Sequence, residues 1–187
     1  YRRLGQIFPC ENKDVVIFPE KIGGKYWCYH RPVGRTNIRK LAIVSGQSPD
    51  LLHWGQHQHV LHCQNSGWYS GRIGAGTPPV RTRAGWLTLF HGVEYCGPKD
   101  KTGTYRAGAM LTDLNDPNQI LAVSQDPFFE PELDFEKHGF VNNVVFPTGA
   151  IVDEEDPDTL LVYYGAADSC VAVTAFSIEE ILQSLGH

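Results

Sequence analysis

Long apolar runs, excess positive charge and cysteine pairs are all missing from this sequence of 187 residues. No apolar run approaches the roughly 20 residues of a membrane-spanning helix, and no signal peptide is visible. The net charge of -5 disfavours a general binder of nucleic acids or anionic membranes. Because the chain begins with Tyr1 rather than Met, a preceding segment with a signal stays open as an alternative.

The five cysteines are odd in number and scattered, and none belongs to a CxxC pair. Free thiols in a reducing compartment are the simplest interpretation of such a pattern. The cysteines therefore predict a cytoplasmic protein.

Glycine and proline are frequent, and β-branched and aromatic residues gather in short runs between them. This pattern predicts an all-β fold: a sandwich, a barrel or a propeller. The predicted strands cover residues 15–18, 25–30, 40–45, 59–63, 78–82, 85–92, 105–114, 119–124, 149–153, 159–165 and 170–176. Only the tail, residues 177–185, has a helical pattern, with Ser177 and Glu180 as a capping box.

A repeated phrase favours the propeller among these folds. FPEKIGGKYWCYHR, PPVRTRAGWLTLFHG and FPTGAIVDEEDPDTLLVYYG each have a proline, a short strand, a turn and an apolar strand that ends in an aromatic residue. The prolines (Pro19, Pro79 and Pro147) are 60 and 68 residues apart. Another strand follows each phrase, as in successive propeller blades, whose equivalent strand ends line a central funnel.

The repeat divides a single partial domain, residues 1–187, into three blade-like modules at about 13–64, 72–130 and 140–176. Propellers usually close with four to eight blades, so three modules are too few for a ring. The sequence is therefore interpreted as part of a longer propeller, and completion by another chain is the alternative.

Several phrases of the chain resemble glycoside hydrolase family 130, the β-mannoside phosphorylases. They are KDVVIFPEKIGGKYWCYHRP, GRIGAGTPPVRTRAGWLTLFHGVEY, YRAGAMLTDLNDP, NNVVFPTGAIV and YYGAAD. The resemblance runs from about Leu4 to Leu185 and implies a five-bladed β-propeller, of which this chain supplies about three blades and a short C-terminal helix. It also implies inverting phosphorolysis of β-1,4-mannosides to α-mannose 1-phosphate, with inorganic phosphate as co-substrate, no cofactor, no metal and often a homo-oligomer.

The resemblance places the family's catalytic Asp in an EDPR-like motif N-terminal to the matched region, together with two phosphate-binding arginines. No EDPR occurs in this sequence, since DEEDPDT (153–159) fills the turn of the third module. We therefore expect no catalytic acid in this chain, and no activity from it alone.

Lys13, His30 and Arg31 are the candidate phosphate-binding residues. Phosphate requires fixed cations and donors in a site dry enough to limit screening. Lys13 and His30 match the phosphate-binding Lys and His that the resemblance implies, whereas Arg31 is expected on the opposite side of the strand from His30. A solvated lysine, a structural histidine and a salt-bridged arginine are the respective alternatives.

Arg72, Tyr105, Phe146 and Asp168 are the candidate substrate-binding residues. Sugar recognition uses carboxylates that accept from hydroxyls and aromatic rings that cover an apolar sugar face. By resemblance, Asp168 matches a mannose-binding Asp, Tyr105 and Phe146 match substrate-lining aromatics, and Arg72 matches a basic residue that faces substrate. A turn-capping Asp, core aromatics and a surface arginine are the alternatives.

Three other motifs predict less. Gly74 and Gly76 resemble a phosphate cradle, but no helix and no GK[ST] follow them, which disfavours a P-loop. His57 and His59 lie near other histidines without a zinc spacing and are interpreted as structural or surface residues. Tyr69 stands where the family commonly has an acidic residue, a departure that bears on the local sugar contacts.

Three functions stay open at this point. The leading one is phosphorolysis of a β-mannosyl oligosaccharide, because a hydrolase has no use for a phosphate clamp. A β-mannoside hydrolase of the same family and a non-catalytic glycan-binding propeller are the alternatives.

Overall fold

The computed structural model describes residues 1–33, 41–97 and 100–187, and in these ranges the all-β prediction is confirmed. The strands are β1 (Asn12–Ile17), β2 (Tyr26–Pro32), β3 (Ala42–Ser48), β4 (Gly55–His62), β5 (Arg72–Ala75), β6 (Val80–Arg81), β7 (Trp86–Glu94), β8 (Thr104–Thr112), β9 (Ile120–Val123), β10 (Val145–Val152), β11 (Thr159–Ala166) and β12 (Cys170–Ser177). The helices are α1 (Asp134–Lys137) and α2 (Ile178–Ser184).

The strands form three antiparallel sheets that follow one another along the chain. Sheet 1 has the order β1-β2-β3-β4, sheet 2 the order β5-β7-β8-β9, and sheet 3 the order β10-β11-β12. The short strand β6 also pairs with β7. Consecutive small antiparallel sheets of this kind are consistent with part of a propeller.

Sheet 2 lies between the other two sheets and is buried on both faces. Along β7, side chains alternate between the two faces, as strand geometry dictates. Trp86 and Phe90 join an apolar cluster with Tyr29 of sheet 1. Leu87 and Leu89 join a second cluster with the inner face of sheet 3. The central sheet therefore ties the three sheets together.

The predicted C-terminal helix is confirmed as α2. The Ser177 hydroxyl accepts a hydrogen bond from the backbone N–H of Glu180 at 3.0 Å, as an N-cap residue does. Ile181 and Leu182 are buried in the cluster between sheets 2 and 3. Of the helices in the described residues, none is long and apolar enough to cross a membrane.

Two elements differ from the prediction. The stretch 72–75 forms strand β5, paired with β7, although it is absent from the predicted strands. The prediction that only the tail is helical is wrong, because α1 is a second, short helix. Glu136 of α1 is buried and accepts a hydrogen bond from the backbone N–H of Leu133. The hydrophobic pattern of the sequence does not predict this helix, because it depends on that buried carboxylate. Lys40, the first residue of the predicted strand 40–45, lies outside the described residues.

Candidate active site

The four candidate substrate-binding side chains line one pocket. Its volume is about 340 Å³, near the lower end of ligand pockets, which span about 300 to 1,000 Å³. Arg72 comes from β5, Tyr105 from β8, Phe146 from β10 and Asp168 from the turn between β11 and β12. Lys101, in the loop before β8, lines the same pocket and was not predicted. The fold thus brings together residues that are almost 100 positions apart in the sequence.

Arg72 and Tyr105 meet because they flank the same residue of β7. Both pair with Val93, one from each neighbouring strand, so they lie on one face of sheet 2. Arg72 Nη1 donates a hydrogen bond to the Tyr105 hydroxyl at 3.0 Å, and the guanidinium lies 5.6 Å from the centre of the Tyr95 ring. These contacts hold a cation at the pocket wall.

Asp168 lies in a strained turn. Ala167 and Asp168 have φ values of 46° and 49°, so both occupy the left-handed region. Two such residues at a hairpin turn correspond to type I′ geometry, which usually takes Asn or Gly. A non-glycine residue there costs roughly 1–2 kcal/mol, and strain of this kind is concentrated at functional sites. The turn places the only carboxylate among the described lining residues of the pocket.

A group of charged and polar residues, two of them buried, lies next to the pocket. We call Asp14, Arg31 and His91 the inner cluster. The His91 ring lies 4.4 Å from the ring centre of Phe146 and 6.1 Å from that of Tyr105, both of which line the pocket. The inner cluster is therefore in contact with the pocket wall.

Arg31 is an unusually buried cation, with 6% of its surface exposed. Its Nη1 donates to the carbonyl oxygen of Ile73 at 3.0 Å, and its Nη2 lies 3.1 Å from Asp14 Oδ2. Its Nε has no hydrogen-bond partner among the described residues. A buried guanidinium N–H without a partner is costly, so this donor is an unsatisfied group in the inner cluster.

His91 is buried and uncharged. It is 1% exposed, and burial together with the nearby Arg31 and Arg72 cations lowers its pKa to about 3. Its Nε2 lies 3.6 Å from Asp14 Oδ2, whereas its Nδ1 has no partner among the described residues. At neutral pH His91 is therefore a hydrogen-bonding group rather than a cation.

His30 and Arg31 lie on opposite faces of β2, as predicted from strand alternation. The His30 nitrogens contact Asn12 Nδ2 at 2.9 Å and His57 Nδ1 at 3.0 Å, and its ring stacks on Phe8 at 4.6 Å. Burial and the neighbouring His57 lower the pKa of His30 to about 4. His30 therefore contacts Asn12, His57 and Phe8 and does not belong to the inner cluster. Its phosphate-binding role stays a prediction.

Lys13 lies in β1 opposite Arg31 and is exposed. Its charge acts on the neighbouring Asp14: burial raises the pKa of Asp14, whereas Arg31 and Lys13 oppose that effect. Lys13 therefore belongs to the electrostatic surroundings of the inner cluster, and its binding of phosphate also stays a prediction.

Asp14 and His91 were missed as site residues by the sequence reasoning. His91 had a signal, because LFHG ends the second repeated phrase just as YHR ends the first. Asp14 had none, since its place depends on a register shift in β1 between Lys13 and Val16. The substrate-binding candidates could be predicted because each lies in a phrase of the family resemblance.

The remaining motifs have structural explanations. Gly74 belongs to β5 and not to a phosphate loop. The His59 and His62 rings stack at 4.9 Å, and among the described residues no group of three or more His, Cys, Asp or Glu is arranged to hold a metal. Tyr69 is a core residue, 5% exposed, whose hydroxyl accepts from Gln64 Nε2 at 2.7 Å.

Comparisons with known proteins identify the family of the chain. Residues 3–187 match the model of the glycoside hydrolase 130 family, described as beta-1,4-mannooligosaccharide phosphorylase. A beta-1,2-mannobiose phosphorylase of Listeria innocua is 45% identical over 97% of this chain and 48% of its own length. A 1,2-beta-oligomannan phosphorylase of Thermoanaerobacter sp. is 38% identical over 97% of this chain and 56% of its own length.

A solved structure shares the fold. The beta-1,2-mannobiose phosphorylase of Listeria innocua, in complex with beta-1,2-mannobiose, matches with a TM-score of 0.89 at 45% identity. The match covers 97% of this chain and 49% of that one, so the chain spans about half the length of the relatives it matches. The family match, the relatives and the fold agree: the chain belongs to glycoside hydrolase family 130.

Proposed function

We propose that the full-length protein cleaves a β-mannoside with inorganic phosphate and releases α-mannose 1-phosphate. The observation that carries this proposal is the buried Arg31 guanidinium, which lies with His91 beside a sugar-sized pocket. A phosphate oxygen forms a bond to the anomeric carbon while the glycosidic C–O bond breaks. The departing sugar oxygen takes a proton from a general acid, and attack from the opposite face inverts the anomeric configuration.

The phosphate site is proposed at the boundary of the inner cluster and the pocket. Arg31 and Arg72 supply fixed cations there, and both are anchored by hydrogen bonds to protein oxygens. Such preorganised charges in a site of low water content stabilise a phosphate dianion more strongly than mobile surface lysines do. Lys13 and His30 are kept as proposed contributors on the sequence resemblance.

The mannose site is proposed at Asp168, Tyr105 and Phe146. Asp168 accepts hydrogen bonds from sugar hydroxyls, and the aromatic side chains cover the apolar side of the ring. A pocket of about 340 Å³ suits one or two sugar rings better than a long polymer.

The general acid is proposed to lie outside this chain. The family resemblance places it N-terminal to the matched region, and the chain spans about half of its relatives. We further propose that the remaining part of the protein completes a five-bladed ring. A homo-oligomeric state and a cytoplasmic location stay predictions of the sequence.

The linkage that is cleaved has two candidates. The sequence resemblance and the description of the family model favour β-1,4. The relatives at 45% and 38% identity are described as acting on β-1,2-linked mannosides, and these favour β-1,2. We propose β-1,2-mannobiose as the first substrate to test, with β-1,4-mannobiose as the second.

The experiment incubates the full-length protein with each mannobiose, with and without inorganic phosphate. Phosphorolysis predicts mannose 1-phosphate only when phosphate is present. Free mannose at equal rates in both samples supports the hydrolase, and tight binding without turnover supports the glycan-binding alternative.

Single substitutions then assign the phosphate site. Lys13→Ala, His30→Ala and Arg31→Met are each expected to raise the KM for phosphate more than the KM for the sugar. His59→Ala is the matched control, because His59 is exposed and its ring stacks on His62. An unchanged phosphate KM removes the substituted residue from the site.

A further inference from the structure

The Asp14 carboxylate has no role in the reaction as proposed, yet its Oδ2 atom is buried and three features of the fold accommodate it. Its side chain is 12% exposed. Asp14 has a φ of 56°, in the left-handed region, and it lies in a β-bulge where the register of β1 shifts between Lys13 and Val16. A bulge redirects a side chain that regular pairing would place elsewhere.

The third feature is Gly74 on the facing sheet. A Cβ atom at this position would lie 2.2 Å from Asp14 Oδ2 and 2.5 Å from His91 Cε1, distances that real side chains do not adopt. Only glycine lets the carboxylate and the imidazole occupy their observed places. The bulge, the positive φ of Asp14 and the glycine at position 74 therefore all allow the Asp14 carboxylate to lie beside His91.

That contact joins sheet 1 to sheet 2. Asp14 Oδ2 lies 3.1 Å from Arg31 Nη2 in sheet 1 and 3.6 Å from His91 Nε2 in sheet 2. Because Ile73 O also accepts from Arg31 Nη1, the guanidinium is fixed at two points, and its Nε has no partner among the described residues. A carboxylate beside Nε2 favours the tautomer of His91 with hydrogen on Nε2, which leaves Nδ1 as an acceptor.

We propose that Asp14 is a positioning residue that holds Arg31 and His91 in the orientation required to bind phosphate. The inference rests on the proposed phosphorolysis. Asp14 is not proposed to contact phosphate directly, because its carboxylate and the phosphate are both anions and repel each other.

The sign of one substitution separates positioning from simple electrostatics. Asp14→Asn keeps the size of the side chain, and asparagine tolerates a positive φ. If Asp14 acted only through its charge, its removal would strengthen the binding of the phosphate anion. If it positions Arg31 and His91, phosphate binding weakens by about tenfold or more, since the ion pair that holds the Arg31 guanidinium is lost.

Gly74→Ala provides an independent perturbation, because its methyl group displaces the carboxylate without removing the charge. Asp134→Asn is the matched control: Asp134 Oδ1 contacts His138 Nδ1 at 2.9 Å, but both side chains are exposed. Circular dichroism checks that each variant is folded.

Calorimetric titration of the full-length proteins with inorganic phosphate provides the test. We expect weaker binding in both Asp14→Asn and Gly74→Ala, and wild-type affinity in Asp134→Asn. Equal or tighter binding in folded Asp14→Asn would overturn the proposal. If Asp14→Asn does not fold, wild-type phosphate affinity in Gly74→Ala would overturn the proposal instead.

Nitrogen-15 NMR of the histidines separates this inference from the proposed function. We expect His91 as the neutral Nε2–H tautomer in the wild type and altered His91 resonances in Asp14→Asn. Unchanged His91 resonances would overturn the positioning role. Absence of phosphate binding by the wild-type protein would overturn the phosphorolysis, while the NMR comparison would still decide whether Asp14 orients His91.

Discussion

Removing the hydroxyl of Tyr164 tests how the wall of the pocket is held. Tyr164 is 3% exposed, and its hydroxyl donates to Glu136 Oε1 at 2.6 Å. The backbone N–H of Val144 donates to the carbonyl oxygen of Glu136, and Val144 lines the pocket. The buried pair Glu136–Tyr164 thus anchors the segment that forms one side of the site.

Tyr164→Phe removes one of the three hydrogen-bond donors to the buried Glu136 carboxylate. Glu136 Oε2 keeps the backbone N–H groups of Glu132 and Leu133, both at 2.8 Å, whereas Oε1 loses its partner. A hydrogen bond to a charged group contributes about 1.5–3 kcal/mol, so we expect a loss of about 2 kcal/mol in the free energy of unfolding. For a slope of about 2 kcal/mol per M, the urea midpoint falls by roughly 1 M.

The loss depends on pH with a defined sign. Although burial acts to raise it, hydrogen bonds from Tyr164, Leu133 and Glu132 hold the pKa of Glu136 below its usual value. A lowered folded-state pKa gives stability that is present above the unfolded-state value and is lost as the pH falls through the folded-state value. The penalty of Tyr164→Phe is therefore largest at neutral pH and shrinks below about pH 4.

The assay is urea unfolding of the full-length protein, followed by fluorescence and circular dichroism to check for a single transition. Tyr163→Phe is the control, because Tyr163 is the adjacent residue, lies on the other face of β11 and is 40% exposed. Its effect is expected within about 0.5 kcal/mol. Equal effects of the two substitutions at neutral pH would refute the anchoring role.

Two further substitutions test backbone geometry and packing. Leu51→Gly is expected to raise the free energy of unfolding by about 1 kcal/mol, because Leu51 has a φ of 68° and its side chain is 37% exposed; a lowered urea midpoint would contradict this. Gly92→Ala is expected to lower the free energy of unfolding by about 1–3 kcal/mol. The new Cβ would lie 2.4 Å from Tyr69 Cβ and 2.6 Å from the Trp68 ring. An unchanged melting temperature would contradict this, because it would show that the two rings move aside without cost.

Strands with strong local signals were predictable from the sequence, and elements that depend on tertiary contacts were not. Strands β7 and β11 are long apolar runs bounded by turn residues. Strand β5 reads as a glycine loop, because Gly74 is required by a side chain on another sheet and not by a turn. Helix α1 has four residues and depends on the buried Glu136 carboxylate.

In the candidate site, too, some residues were predictable from the sequence and others depend on tertiary contacts. Four residues that lie in phrases of the family resemblance line one cavity: Arg72, Tyr105, Phe146 and Asp168. The position of Asp14 could not be predicted, because KDVV reads as a regular strand start and the bulge follows from contacts with Arg31 and His91 across two sheets. The family resemblance points to His30 and not to His91, and strand alternation places His30 on the opposite face of β2 from Arg31.

The central claim is that phosphate, and not water, is the attacking nucleophile. The most direct measurement is phosphorus and proton NMR of the full-length protein acting on β-1,2-mannobiose in phosphate buffer, with β-1,4-mannobiose in parallel. The account predicts α-mannose 1-phosphate in an amount equal to the mannose set free from the reducing end, and no cleavage without phosphate. Two mannose molecules per disaccharide, formed at the same rate without phosphate, would contradict it.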